Sequence, residues 1–415
     1  YILMRLFISH FAIHMNNLLN KRSFVIVLGC LTGLGALTID MSLPSIPDMA
    51  ASLTTTISIG QQIVGVFIAG IAIGQIPAGL ISDRIGRIPV LIVGMVIFTA
   101  AGIITSLANN IEIMLIARFF QGIGASVGIV LSRAMVRDIA SGIQAARLLS
   151  IMVMIFTVTP IIAPIVGSYL AYEYGWRSTF VIITLFGFLM IVGVNKGLVE
   201  TKKPDKTNKI SRQLIESITT FFSYRQSILG MLLVVLPSIG FMSLITGSAS
   251  LIIEIFKFPV EMFGFIFALA GISTLLGSML NRKMLLQYSV MQLTGAGVAI
   301  ITIASIQLTL IAWFNSENFF WLWSCVCLFM FGNGFVVANA TAVALDPVPK
   351  ISGVAASIVG TCQNLSTAIG SIFASMIYNG TVLNSIILMC IFGIITFVAY
   401  LLRLRILGDQ IIYMS

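Results

Sequence analysis

Residues 79–91 read GLISDRIGRIPVL. Asp83, Arg84 and Arg87 stand within five residues of one another in a chain of which only 9% is charged. The run QQIVGVFIAGIAIGQIPAGL (61–80) precedes them and PVLIVGMVIFTAAGIITSLA (89–108) follows. Roughly 20 apolar residues are enough for a helix to cross the hydrocarbon of a bilayer. Charges avoid that hydrocarbon, so the trio reads as a turn at the membrane surface between two spanning helices.

The same pattern continues in both directions. The 415 residues are 58% hydrophobic, with a mean hydropathy of +1.07. A soluble protein lacks the polar surface to cover so much apolar material. A transmembrane barrel would show alternating segments of ~10 residues, and the chain has none. Twelve spans are expected, at 23–43, 59–80, 89–108, 112–136, 146–171, 178–198, 228–251, 261–281, 290–313, 319–344, 352–378 and 382–402. The fold class is an all-α membrane protein.

One connection differs from the others. Residues 199–227 form the only long polar segment, and it leaves six spans on each side. The expected organisation is an N-terminal segment 1–22, a first six-helix bundle 23–198, a linker 199–227, a second bundle 228–402 and a tail 403–415. The linker stretch LIESITTFF (214–222) reads as a short helix lying on the membrane surface. Tyr1 comes first and Met15 opens a short basic lead, so Met15 is the expected start and 1–14 upstream read-through. The first long run has no cleavage site and is too long for a signal peptide.

Alternate connections carry the basic residues. One side collects 20 of the 23 Lys and Arg, all but Arg118, Arg177 and Lys257. The positive-inside rule places that side, with both termini and the linker, in the cytoplasm. The net charge of +9 is therefore topological. It forms no stripe and gives no nucleic-acid reading. Cys30, Cys325, Cys327, Cys362 and Cys390 all lie in apolar runs and read as small buried hydrophobes. The only histidines are His10 and His14, and no metal or cofactor is expected.

A repeat is faintly visible. GLISDR (79–84) and GSMLNR (277–282) both read Gly-x-x-x-Asp/Asn-Arg after the second span of their half, as in a duplicated transporter.

Specific motifs support that architecture. Gly79, Asp83, Arg84, Gly86, Arg87 and Leu91 match the signature loop between the second and third helices of the major facilitator superfamily. Arg118, Gln121, Gly122 and Gly124 in ARFFQGIGAS match its fourth-helix motif. TPIIAPIVGSYL (159–170), with Pro160, Pro164 and Gly167, resembles the fifth-helix segment of antiporters. Ser168 and Ala163 stand there in place of usual glycines, and Ile88 replaces a common basic residue. DMSLPSIP (40–47) resembles the end of the first helix in the drug–proton antiporter group. NATAVALDPVPKISGVAASIVGT (339–361) resembles the Bcr/CflA drug-efflux branch.

The resemblance implies two bundles around a central cavity lined by the first, fourth, seventh and tenth helices. It implies alternating exposure to the two sides, with drugs leaving as protons enter. It further implies a multi-pass protein of a bacterial inner membrane, whose partners are lipid, protons and a small apolar drug. A monomer is expected.

Two groups of residues are singled out. Gly79 permits close helix contact, and Gly86 permits a turn closed to other residues. A fixed Asp83 can meet a helix N-terminus, and Arg87 can bridge to Asp138 at the cytoplasmic end of the fourth span. By resemblance, Asp83, Arg87 and Asp138 form a latch that holds the cytoplasmic side closed, while Arg84 anchors to headgroups.

The second group is Asp40 and Arg118. Apart from Glu112 and Glu261, which open their spans, Asp40 is the only carboxylate within a span and away from its cytoplasmic end. Arg118, early in an inward-running helix, shares its depth. Asp40 reads as the proton carrier and Arg118 as its control. A purely capping Asp40 is the competing reading.

Pro160 and Pro164 read as bends that let the fifth helix press on a neighbour. Asn333 and Asn339 fit either substrate contacts or interhelical hydrogen bonds, and Gln363 and Asn364 read as glue between helices. The function expected is proton-driven export of small, fairly apolar molecules. The rival is a proton symporter on the same fold, since fold does not fix direction. An intramembrane enzyme would need a metal cluster, a Ser–His pair or a second intramembrane carboxylate, and the sequence offers none.

Overall fold

The computed structural model describes residues 22–140, 142–202, 210–314 and 318–407. The expected upstream segment 1–14 and linker residues 203–209 lie outside them. The described chain is helical from end to end. Helix α1 spans Arg22–Ser42 and runs through a 3-10 turn, Leu43–Ser45, into the short α2, Ile46–Ser52. Pro44 and Pro47 stand second in these two pieces, within the first turn, where a missing N–H costs least. Helices α3 (Ile57–Ile85), α4 (Arg87–Leu107), α5 (Ile111–Ile139), α6 (Gly142–Tyr174) and α7 (Trp176–Gly197) follow. The linker contributes α8 (Ile210–Ser223). Then come α9 (Arg225–Ala249), α10 (Val260–Met284), α11 (Val290–Trp313), α12 (Phe319–Leu345), α13 (Ser352–Ile377) and α14 (Val382–Leu407).

Local chemistry sets the helix ends. The Thr56 hydroxyl accepts from the Ile59 N–H at 3.3 Å, and Asn110 Oδ1 accepts from the Ile113 N–H at 2.8 Å. Gly86, with φ +101°, breaks α3 from α4 in a conformation that disfavours a side chain.

Eleven helices among the described residues are long and apolar enough to cross a membrane. The twelfth expected span, α13, has 26 residues but is punctuated by Ser, Thr, Gln and Asn, and is not among the eleven. The apolar surface points outward. Leu107, Ile116, Phe188, Leu189, Phe265 and Leu401 are exposed, as lipid-facing residues should be. Inside, Thr38 and Thr99 donate to carbonyls one turn back at 2.7 Å, which satisfies their hydroxyls without a partner helix.

Within residues 22–197, α5 packs on α3 and α4, and α1 packs on α6. Within 225–407, α12 packs on α11 and α10, and α9 packs on α13 and α14. Two seams join these sets, α3 with α13 and α6 with α10.

Candidate functional site

The charged turn is a closed network (its centre is Arg87). Arg87 starts α4 and is only 5% exposed. Its Nε donates to Asp138 Oδ2 at 2.9 Å and a second nitrogen to Oδ1 at 3.4 Å. The remaining nitrogen meets Asp83 Oδ1 at 2.9 Å and the Ser82 hydroxyl at 2.6 Å. The fork geometry of arginine suits two carboxylates held on different helices. The expected Arg87–Asp138 pair is therefore present.

Among the described residues two expectations need correction. Asp83 meets no helix N-terminus. That place is taken by Glu200, whose carboxylate accepts the Arg87 N–H at 2.8 Å and the Ile88 N–H at 3.0 Å. Gly79 makes no tight contact, since a Cβ there would find Val130 at an ordinary 3.9 Å. Gly86 is required twice over: its φ is positive, and a Cβ would come within 2.7 Å of Glu200 Oε2. Arg84 is exposed.

The stretch that sequence reasoning missed is Glu200–Thr201–Lys202, directly after α7. Thr201 Oγ1 donates to Asp138 Oδ2 at 3.0 Å, and Lys202 Nζ to Asp83 Oδ1 at 2.6 Å. Three consecutive residues thus tie α7 to α3, α4 and α5. The only signal in the sequence was a carboxylate set among hydroxyl and lysine residues at the end of a span. Every bond of this network lies within residues 82–202, so what it locks together directly is the first half.

Arg118 is fully buried in α5. One nitrogen donates to Gln121 Oε1 at 3.0 Å, and Nε to the Ile63 carbonyl at 3.4 Å. Its guanidinium lies 4.4 Å from the Phe67 ring centre and 5.6 Å from that of Phe180. These contacts hold a buried cation against α3 and α7 by ring quadrupoles and a carbonyl. Among the described residues no ion pair or hydrogen bond joins Arg118 to Asp40. Gly122 and Gly124 let backbones meet: a Cβ on Gly122 would overlap the Phe67 carbonyl, and one on Gly124 would come within 2.6 Å of the Gly94 carbonyl.

Asp40 is buried in the last turn of α1. Its neighbour Met41 touches the antiporter-like segment, for a Cβ on Gly167 would overlap the Met41 carbonyl. Pro160 and Pro164 lie inside the unbroken α6, and Ala163 is buried. Another face of the same segment of α6 meets the other half. Gly264 of α10 sits against the Ile165 backbone and the Ser168 hydroxyl, and Gly271 against the Pro160 carbonyl. The segment therefore builds the seam between the halves and touches Asp40's helix.

Other bonds cross between the halves at the end opposite the charged network. Ser58 Oγ donates to the Ser375 carbonyl at 2.6 Å, and Gln61 Nε2 to Ser250 Oγ at 2.9 Å. Ser250 opens a π-helical turn, Ser250–Ile255, at the end of α9. A cavity of about 690 Å³ lies over this end, bordered by Ser58, Glu254 and Tyr378. Asn339 pairs reciprocally with Asn281 at 2.8 and 3.2 Å, Gln363 donates to Ser238 at 3.2 Å, and Asn364 accepts through its carbonyl from Thr367. Interhelical hydrogen bonds account for Asn339 and Gln363, whereas the Asn364 bond is made by its backbone carbonyl within α13. Asn333 Oδ1 is buried and lacks a partner among the described residues.

Comparison with known proteins agrees with the fold. The model of the Major Facilitator Superfamily matches residues 28–371. A bicyclomycin resistance protein homolog of Haemophilus influenzae is 28% identical over 356 residues, covering 85% of this chain and 89% of that one. Multidrug resistance protein D of Escherichia coli is 26% identical over 368 residues, covering 86% and 89%. The crystal structure of a D-xylose-proton symporter superposes with a TM-score of 0.74 at 15% identity, covering 94% of this chain and 98% of that one.

Proposed function

The chain belongs to the major facilitator superfamily, and from that premise we propose that it exports small, fairly apolar drugs or metabolites in exchange for protons, by alternating access. The observation that carries this reading is Asp40. It is a buried carboxylate at the end of a spanning helix, next to the residue on which Gly167 packs. An intramembrane carboxylate costs ~2.5–3.5 kcal/mol on insertion scales, so it needs a use. Its place beside the seam lets movement of the halves change its surroundings, and hence its hold on a proton. Support for export comes from the two resistance-protein relatives.

In this reading α13 makes the twelfth crossing, and the chain divides into six-helix halves at 23–198 and 228–402. Both termini and the linker face the cytoplasm of a bacterial cell, and the protein acts as a monomer. Asp83, Arg87 and Asp138 stabilise a state closed on the cytoplasmic side. They do so by holding the first half rigid, with Glu200 and Lys202 completing the lock.

The test is drug accumulation across a panel in an efflux-deficient bacterial host. Cells carrying the protein should accumulate less of at least one drug, and a protonophore should abolish the difference. Unchanged accumulation of every drug would remove the reading. The alternative is a proton-coupled importer, favoured by the likeness to the symporter fold, and it would raise accumulation instead.

A further inference from the structure

The described spans are unbalanced in charge. Away from the network of Arg87, α5 carries three more arginines, Arg118, Arg133 and Arg137. Arg118 is sealed among aromatic rings, but Arg133 and Arg137 are exposed. They lie one turn apart on the same helix face, close enough for their charges to repel. No carboxylate forms an ion pair with either among the described residues, whereas Arg87 on the neighbouring helix has two.

The direction of this face is fixed by its neighbours. Val130, on the same stripe, is the side chain nearest Gly79 of α3. Arg137 reaches across to the second half, where a Cβ on Gly353 would lie 3.5 Å from its Nη1. Ser132, on the other side of the helix, bonds to Thr32 of α1 at 2.9 Å. The two arginines therefore point between α3 and α13, into the cleft at the charged end. The facing stripe of α13 is small or hydroxylic. Gly353, Ser357 and Gly360 recur at helical spacing, Ser357 is exposed, and nothing lies within 4 Å of a Cβ placed on Gly360. Thr361, one residue on, marks the cleft floor through its bond to Gln75 of α3 at 3.3 Å.

We infer that Arg133 and Arg137, facing the small-residue stripe of α13, form a subsite for the acidic group of an amphipathic organic anion. Among the described residues the slot offers two guanidinium forks and no carboxylate ion-paired with either, and half-buried Val130 continues the stripe one turn further in. A sulfonate or carboxylate pairs with the arginines while its apolar body enters the cleft. A cation meets like charge at the same point. This deepens the export reading and rests on it for its role in transport: the substrate class admitted from the charged end is acidic or neutral, not cationic. Closing that end brings α5 and α13 together and expels the acidic group from the slot.

The experiment uses full-length protein in phosphatidylcholine nanodiscs, titrated calorimetrically with naphthalene-2-sulfonate and with naphthalen-2-ylmethylammonium. These probes share a ring system and differ in charge. The sulfonate is expected to bind more tightly and to weaken with salt. R133Q/R137Q should weaken it about tenfold while leaving the ammonium probe unchanged, and R133K/R137K should retain part of the affinity. Sulfonate affinity unaltered in R133Q/R137Q would overturn the inference, as would equal loss of both probes. Nanodiscs with added phosphatidylglycerol separate the two sources of acidic group. If they abolish sulfonate binding to the wild type, the arginines hold a lipid headgroup and the subsite is withdrawn. Binding without any drug export in cells would remove the export reading but leave the anion subsite standing.

Discussion

Replacing Glu200 tests whether the strap after α7 holds the first half together. Its carboxylate takes two backbone N–H groups of the first turn of α4, at 2.8 and 3.0 Å. Loss of such a cap costs ~0.5–2 kcal/mol, and loss of the charge at a helix N-terminus a further ~0.3–1 kcal/mol. Glu200 also places Lys202 on Asp83, but that ion pair is more than a third exposed on the lysine side and adds only ~0.2–1 kcal/mol. E200A should therefore destabilise the protein by about 2 kcal/mol. E200Q keeps an acceptor without the charge and should lose about half as much. Thermal unfolding of purified protein, followed by exposure of a buried cysteine such as Cys390 to a thiol dye, reads the order. The midpoints should fall from wild type to E200Q to E200A. Equal midpoints for all three would show that the contact is incidental and that α4 is capped by water.

Three further outcomes are expected on the proposed cycle. D83N and R87A should still fold but shift the protein away from the state closed at the charged end, by about tenfold in population for ~1–2 kcal/mol of lost contact. Cysteines placed on the two sides of the cleft should label accordingly, and unchanged labelling would leave these charges a topological role only. D40N should reach the membrane and lose proton-driven export, measured in energised vesicles across imposed pH gradients. Export by D40N that still rises with the gradient would refute the proton-carrier role. Protease outside intact cells should spare 199–227, whereas inside-out vesicles should be cut near Lys202–Lys209.

How much was legible beforehand follows from what kind of information each feature needs. Hydropathy alone located the spans, because lipid imposes one rule on every exposed side chain. The exception, α13, is the helix that packs against α3 and α9, and its polar residues bond to those neighbours. Arg87 and Asp138 were legible as a pair because both sit at helix ends on one side of the membrane, where few carboxylates compete. Glu200 was not, because its place depends on α7 returning beside α4, and nothing local announces that. Asp40 and Arg118 show the opposite limit. Counting residues gives depth along a helix but not the direction a side chain faces. The two share a depth, yet Arg118 turns to Phe67, Phe180 and Gln121.

The faint repeat between the halves carries a physical consequence. GLISDR places Asp83 in a network of charges that joins α3, α4, α5 and α7. GSMLNR places Asn281 at the corresponding point, and it pairs with Asn339 through two amide hydrogen bonds between α10 and α12. A reciprocal amide pair satisfies both buried groups without burying charge, so it escapes most of the desolvation cost. It is also insensitive to salt and holds in one geometry only. The charged network is partly open to water and has alternatives, since Asp83 Oδ1 serves both Arg87 and Lys202. Salt screens such pairs, and exchange between the two cations needs little motion. The two halves are therefore joined internally by different chemistry at equivalent places. On the proposed cycle, the second half moves as a fixed body, and sensitivity to ions at the charged end resides in the first.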